Sequence, residues 1–278
     1  MNVAPDAPKR PALRYYGGKW NLAPWIISHF PPHQNYVEPC GGAASVLLRK
    51  PRSPLETYND LDGNVVNFFR VLRDRPDELI RKIHLTPWAR AEFEQAVLAP
   101  DDGDEIEMAR RFFLRSWMSM HGGTNPIPSD WRRRHSGQTP ALEIRDMDRI
   151  NKIAERLSFV QIENDTAQRI ISAYSGNDTL IYFDPPYVQE TRVRHRGYLI
   201  DPRDFWHAES AALLRQCAGY VVVSGYACDL YAELYEGWRR VDKEAQTNSG
   251  GKRVESLWLS PRTWAALHND YSDLPMFR

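Results

Sequence analysis

Three stretches of the sequence predict an α/β fold. Leu180-Ile181-Tyr182-Phe183 is an apolar run of strand length that stops at Asp184-Pro185-Pro186-Tyr187, where two prolines remove backbone donors and fix φ. Asn35-Tyr36-Val37-Glu38-Pro39-Cys40-Gly41-Gly42-Ala43-Ala44-Ser45-Val46 reads as strand, small-residue turn and helix, the order in which a dinucleotide-type fold brings its backbone close to a ligand. Leu55 to Asn59 is another short strand, followed by Asp60-Leu61-Asp62-Gly63-Asn64 and an apolar helix through Val65, Val66, Phe68 and Phe69. In open α/β sheets, ligands bind in the crevice outside the carboxyl ends of the strands. Asp184 and Asp60 both stand at such ends.

The chain of 278 residues can bury a full core and has room for one large domain with a smaller one inserted. No apolar stretch approaches the ~18 residues of a membrane span, and the amino terminus has no signal-peptide apolar core, so a cytoplasmic location is expected. Cys40, Cys217 and Cys228 are odd in number and lack C-x-x-C spacing. Neither a disulfide framework nor a zinc site is indicated, and no other metal cluster is expected. Formal net charge is zero; any nucleic-acid binding must therefore come from local basic patches.

Taken in order, residues 1–11 are rich in proline and alanine and predict a disordered tail. In Leu13-Arg14-Tyr15-Tyr16-Gly17-Gly18-Lys19-Trp20, two glycines permit a tight turn that leaves aromatics and a lysine free to face a ligand. An amphipathic helix is expected around Leu22 to His29, stopped by Pro31-Pro32. The Gly41-Gly42 turn then follows the first strand; it is not G-x-G-x-x-G, nor a P-loop, because no G-K-[ST] follows. An acid at the end of the next strand, roughly 20 residues on, is where this architecture binds ribose hydroxyls. Asp60 is the candidate and Asp62 the alternative; both could instead cap the helix beginning near Gly63.

From Arg75 to about Leu157 the composition turns helical and charged, with a core helix over Glu105 to Met120. The aperiodic segment from His121 to His135 carries Arg132, Arg133 and Arg134 beside Trp131. A long loop of this kind is usually functional, the alternative being a solvated charged surface. Ser158 to Asp165 returns to strand character, and a short helix near Ala167 to Tyr174 leads into the strand that ends at Asp184. Beyond it, Arg192, Arg194 and Arg196 form a second basic segment flanked by aromatics, able to grip phosphates. Asp204 to Cys217 and Asp229 to Tyr235 read as helices, and Tyr220 to Ser224 as a buried strand. Trp238 to Ala245 and Val254 to Leu259 read as a terminal hairpin.

The D-P-P-Y string at 184–187 resembles motif IV of the amino-methyltransferases, which use S-adenosylmethionine to methylate the exocyclic amine of adenine or cytosine. With it, the segment holding Tyr15 and Lys19 is similar to motif X of the Dam-type (D12 class, alpha-group) adenine methyltransferases. Glu38-Pro39-Cys40-Gly41-Gly42 is similar to motif I, Asp60 to the motif II acid and Asp165 to the motif III acid. The late runs Val223 to Tyr226 and Lys252 to Trp258 resemble phage and prophage members. The resemblance implies a Rossmann-like S-adenosylmethionine-dependent methyltransferase fold, with a seven-stranded, mostly parallel sheet ending in an antiparallel hairpin. Residues 12–74 and 158–278 would form the catalytic domain, and 75–157 an inserted helical target-recognition domain.

The same resemblance implies a cofactor site made by Tyr15, Lys19, Glu38, Pro39, Gly41, Gly42, Asp60, Asp165 and Asp184. Asp165 would receive the cofactor's adenine amine. The target adenine would be extruded from duplex DNA, because its amine cannot be reached inside the stack. That amine is a poor nucleophile, since its lone pair is delocalised into the ring. Asp184 and the Pro185 carbonyl would accept its hydrogens on the rigid Pro185-Pro186 turn, and Tyr187 would stack on the base, worth about 1–3 kcal/mol. Methyl transfer would then be direct and in line. Arg132, Arg133, Arg134, Arg192, Arg194 and Arg196 are the expected DNA contacts, mainly to phosphate. A monomer is expected, with a dimer as the alternative. Other readings are methylation of the cytosine 4-amine or of RNA at the same site, and a non-catalytic DNA-binding protein on this fold. A protein-glutamine methyltransferase fits less well, since asparagine usually begins its corresponding motif.

Overall fold

The structure is a computed structural model of the chain, and it describes residues 1–99, 103–120, 130–191, 204–246 and 252–269. β1 (Asn35–Glu38), β2 (Leu55–Asn59), β3 (Gln161–Glu163), β4 (Thr179–Phe183), β5 (Tyr220–Gly225), β6 (Arg239–Gln246) and β7 (Lys252–Leu259) form one seven-stranded sheet. Their order is β3-β2-β1-β4-β5-β7-β6. The first five strands run parallel, and β7 is antiparallel to both β5 and β6, giving the expected closing hairpin. The chain builds outward from β1 to β3, then returns to set β4 against the other side of β1. The loops leaving β1 and β4 therefore diverge and open a crevice at their carboxyl ends.

Strand patterning explains the unbroken apolar runs. Along β4, Leu180 and Tyr182 enter one buried cluster while Ile181 and Phe183 enter the other, and β5 divides Val222 from Val221 and Val223 in the same way. A period of two with both faces covered leaves no polar side. One cluster is capped by α2 (Gly63–Asp74), α3 (Pro76–Leu85), α4 (Arg90–Leu98), α5 (Glu105–Met118), α6 (Ala141–Ile144) and α7 (Met147–Leu157), with α1 (Ala23–Ser28). The opposite cluster lies under α8 (Ala167–Ala173), α9 (Asp204–Gln216) and α10 (Asp229–Leu234). The chain continues from β7 into α11 (Pro261–His268), which Ser260 caps through the Thr263 amide.

Three expectations are corrected. The helical segment 75–157 has no core of its own: Phe113 of α5 stacks on Phe68 of α2 with centroids 6.0 Å apart, and the buried residues of α3 to α7 continue the cluster under the sheet. Arg156 of α7 pairs with Glu56 of β2, which also holds the fully buried Lys50 at 2.6 Å. Removing one member of such a buried set typically costs about 3–5 kcal/mol. Residues 1–11 are not a detached tail, since the Ala4 amide donates to the Arg49 carbonyl at 2.8 Å and Val3 packs on the core. The helix expected after β1 is replaced by successive turns over 42–49. Gly42 (φ 49°) and Ala44 (φ 52°) are left-handed, which a continuous right-handed helix cannot contain.

The segment holding Tyr15 and Lys19 is sewn to α5. Arg14 donates to the carbonyls of Trp117, Ser119 and Met120, its amide donates to the Ser116 hydroxyl, and Trp117 Nε1 donates to the Ala12 carbonyl. One guanidinium thus satisfies carbonyls that the end of α5 leaves without helical partners.

Candidate active site

The parallel register brings three acids to one edge of the sheet. Glu38 ends β1, Asp60 follows β2 and Asp184 follows β4, and all three line a cavity of about 610 Å³. That volume lies within the range of small-molecule and cofactor sites.

Glu38 is buried and accepts hydrogen bonds from the Tyr36 hydroxyl and the Leu47 amide. Burial pushes its carboxyl up to about 8, against those two donors. Asp60 braces the glycine turn rather than capping a helix. Its Oδ2 accepts from the Gly42 amide at 2.8 Å and its Oδ1 from the Asp62 amide at 2.9 Å. Burial pushes Asp60 up to about 6, while the Asp62 and Gly42 amides hold it down. Asp62 is the acid that caps α2, through the Asn64 amide.

Two tyrosines explain the glycine pair. A Cβ on Gly41 would sit 2.2 Å from the Tyr58 ring, and one on Gly42 would sit 3.0 Å from the Tyr15 ring. The turn is held between the two rings, and the Tyr58 hydroxyl donates to the Gly42 carbonyl at 2.7 Å. Asn59, fully buried, ties three strand ends together. Its amide nitrogen donates to the carbonyls of Pro39 and Asp165, and its oxygen accepts from the Asp165 amide.

Asp184 is paired with Lys19. Nζ of Lys19 lies 3.0 Å from Oδ1 of Asp184, and it also donates to the Gly17 carbonyl at 2.8 Å. Burial pushes Asp184 up to about 6, and Lys19 is the largest influence opposing that rise. The same ammonium stands 4.5 Å from the centroid of the Tyr187 ring. Cys40 also lines the cavity; burial, with Asp60 and Asp184 near it, pushes its thiol well up, so it is no nucleophilic thiolate.

Of the residues expected in the cofactor site, Tyr15, Lys19, Glu38, Pro39, Gly41, Gly42, Asp60 and Asp184 line the cavity, and so does Pro186. Asp165 does not. Its carboxylate is taken by the Thr166 amide at 2.7 Å and by Arg169 at 2.8 Å, while Thr166 and Arg169 themselves reach the cavity wall. Pro185 is buried outside the lining. Tyr187 is also outside it and buried: its hydroxyl donates to Glu255 at 2.8 Å, Tyr226 meets it edge-on, and Lys19 stands over the ring.

The basic segments divide. Arg132 is largely buried, 2.6 Å from Glu143, so its first job is to hold α6 against the end of α5. Arg134 shares the same carboxylate at 3.2 Å but is exposed, as is Arg133. Arg192, Arg194 and Arg196 lie outside the described residues. Sequence reasoning passed over Trp206 and Glu209, which reach the cavity from the first turns of α9, and Leu61 between the two acids. No local pattern marks Trp206 as more than another helix aromatic.

Comparison with known proteins identifies the family. A family model for D12 class N6 adenine-specific DNA methyltransferases matches residues 15–100 and 129–249. The chain is 25% identical over 268 residues to the Type II methyltransferase M1.LlaDCHI of Lactococcus lactis subsp. cremoris, covering 87% of this chain and 90% of that protein. It is 22% identical to the Type II methyltransferase M.MjaIII of Methanocaldococcus jannaschii, covering 90% and 96% of the two chains. A DNA adenine methylase of Vibrio cholerae serotype O1 is 24% identical over 191 residues, covering 64% of this chain and 65% of that one. The family match spans the tyrosine and lysine at 15 and 19, the glycine turn, Asp60 and the D-P-P-Y turn. The chain belongs to the D12 class N6 adenine-specific DNA methyltransferases, enzymes that take their methyl group from S-adenosylmethionine.

Proposed function

We propose that Asp184 is the acceptor of the target adenine's amine hydrogens and that Lys19 keeps it ionised for that role. The observation that carries this reading is the Lys19–Asp184 ion pair at the mouth of an acidic cavity, on a turn stiffened by Pro185 and Pro186. A group held in this way is preorganised for the transition state and needs little rearrangement. The Pro185 carbonyl supplies a second acceptor beside it.

The cavity chemistry fits S-adenosylmethionine. Burial pushes three carboxylates, Glu38, Asp60 and Asp184, above their ordinary range, and a ligand carrying sulfonium and ammonium charges relieves that cost. When bound, S-adenosylmethionine supplies a sulfonium-activated methyl group that the target amine takes directly. Glu38, Pro39 and the Gly41-Gly42 turn hold its methionine part, and Asp60 holds its ribose while bracing that turn. Thr166, Leu61 and Trp206 make the remaining wall for its base. Asp165 supports this wall from outside, through the Thr166 amide and Arg169.

DNA approaches over the mouth, with Arg133 and Arg134 contacting phosphates; Arg192, Arg194 and Arg196, read from the sequence as further phosphate contacts, lie outside the described residues. One chain carries a complete set of cofactor- and amine-binding groups, which supports action as a monomer. Among the described residues no helix is long and apolar enough to cross a membrane, and we place the enzyme in the cytoplasm with its DNA.

The test is incubation of unmethylated duplex DNA with the protein and S-adenosylmethionine, followed by nucleoside mass spectrometry. N6-methyladenine is the expected product. N4-methylcytosine in its place, or methylation of RNA alone, would overturn the reading.

A further inference from the structure

Glu255 is a buried acid that the reaction described above does not use. It sits on β7 one residue before Ser256, which pairs with Gly225 of β5, so its side chain stands beside the turn that follows β4. It is 9% exposed. A carboxylate at that depth is costly unless a donor meets it, and the Tyr187 hydroxyl does so at 2.8 Å.

The phenol donates its hydrogen to Glu255. The rest of the ring is gripped as well. Tyr226 packs edge-on with centroids 4.6 Å apart, Arg253 covers Tyr226 at 5.0 Å, and Lys19 stands 4.5 Å above Tyr187. A hydrogen bond at one end and packing along the sides leave Tyr187 one orientation.

We propose that Glu255 is a positioning residue for methyl transfer: it fixes the Tyr187 ring against Lys19, the residue paired with Asp184. This rests on the reading that Asp184 accepts the target adenine's amine hydrogens and that Lys19 keeps it ionised. Glu255 acts through Tyr187 and does not touch substrate.

The test compares Glu255→Ala, Glu255→Gln, Tyr187→Phe and the double variant Tyr187→Phe/Glu255→Ala. The readouts are single-turnover methylation at saturating DNA and cofactor, and calorimetric binding of S-adenosylmethionine. Loss of the charged hydrogen bond that holds the Tyr187 ring predicts Glu255→Ala slower by about tenfold or more, with cofactor affinity within about twofold. Glu255→Gln keeps an acceptor oxygen and stays within about threefold of wild type. The double variant is no slower than Tyr187→Phe, because the two side chains act as one unit.

Additive losses, equal slowing by Gln and Ala, or wild-type rate in Glu255→Ala would each overturn the proposal. If Glu255→Ala fails to bind cofactor and so has not folded, the remaining variants decide: Tyr187→Phe slower than Glu255→Gln supports it, and the reverse order overturns it. Asp184→Ala is run beside them. An inactive Asp184→Ala with a fully active Glu255→Ala removes the role of Glu255 alone, whereas an active Asp184→Ala removes the underlying assignment of the site.

Discussion

Replacing Lys19 by methionine keeps most of the side-chain volume and deletes the charge beside Asp184. The two groups are 3.0 Å apart and largely buried. At an effective dielectric constant of about 20, a unit pair at that separation is worth at most about 5 kcal/mol. In practice an opposite charge this close depresses a carboxyl by about one to three pH units. Burial already pushes Asp184 up to about 6, with Lys19 the chief influence opposing it. Without the ammonium, the carboxyl moves to neutrality or above. The carboxylate is the form that accepts amine hydrogens, so activity is full above its pKa and is lost as pH falls through it. Lys19→Met moves that loss upward. The assay is kcat/KM for S-adenosylmethionine from about pH 5 to 9, which follows the ionisations of the enzyme before cofactor binds. The limb that belongs to Asp184 should lie near pH 6 in wild type and about one to three pH units higher in Lys19→Met, while those of Asp60 and Glu38 keep their places. The deficit of Lys19→Met at neutral pH is then about 2- to 100-fold and shrinks in alkali. Acid limbs at the same pH in the two proteins would refute the claim that Lys19 governs Asp184.

Other substitutions test other parts of the site. Asp60→Ala leaves the Gly42 and Asp62 amides without their acceptor and should weaken S-adenosylmethionine binding by about 10- to 100-fold in calorimetric titration; an unchanged dissociation constant counts against it. Asn59→Leu removes three hydrogen bonds, one of them buried, that join the ends of β1, β2 and β3, with an expected loss of about 2–4 kcal/mol in urea unfolding, while Asp165→Ala should change cofactor affinity by less than about threefold. Arg132→Ala should destabilise the fold by about 1–3 kcal/mol because its pair with Glu143 is largely buried. Arg133→Ala should leave stability alone and lower the salt dependence of DNA binding by about 0.9 in log–log slope per lost phosphate contact; an unchanged slope would mark Arg133 as solvated surface.

Much of the fold was legible because its signals are local. The run from Leu180 to Phe183 ends where Pro185 and Pro186 forbid further pairing, and the helix after Gly63 begins where Asp62 can cap it. One local signal was overlooked: Ser260-Pro261 is a cap followed by proline at the first helical position, and α11 begins there. The helix expected after Glu38 failed because Ala44 adopts a left-handed conformation that its side chain does not advertise. The site was readable in outline, since its acids stand at strand ends. Its contacts were not. Lys19 meets Asp184 across 165 positions of sequence, and Tyr187 meets Glu255 across 68. Only folding decides that Tyr187 is covered, or that Asp165 is drawn to Arg169 instead of the cavity. The arginine run shows the same limit: three neighbouring identical residues take different jobs because one of them turns inward to Glu143.

Whether Asp184 accepts the target amine is decided by single-turnover methylation with Asp184→Ala. The protein, saturated with S-adenosylmethionine and mixed with duplex DNA, is quenched over time and assayed for N6-methyladenine, with cofactor and DNA binding measured on the same preparation. The expected rate is lower by at least about a thousandfold, with DNA binding retained and at most a moderate loss of cofactor affinity. Transfer near the wild-type rate by a variant that binds both ligands would contradict that role for Asp184.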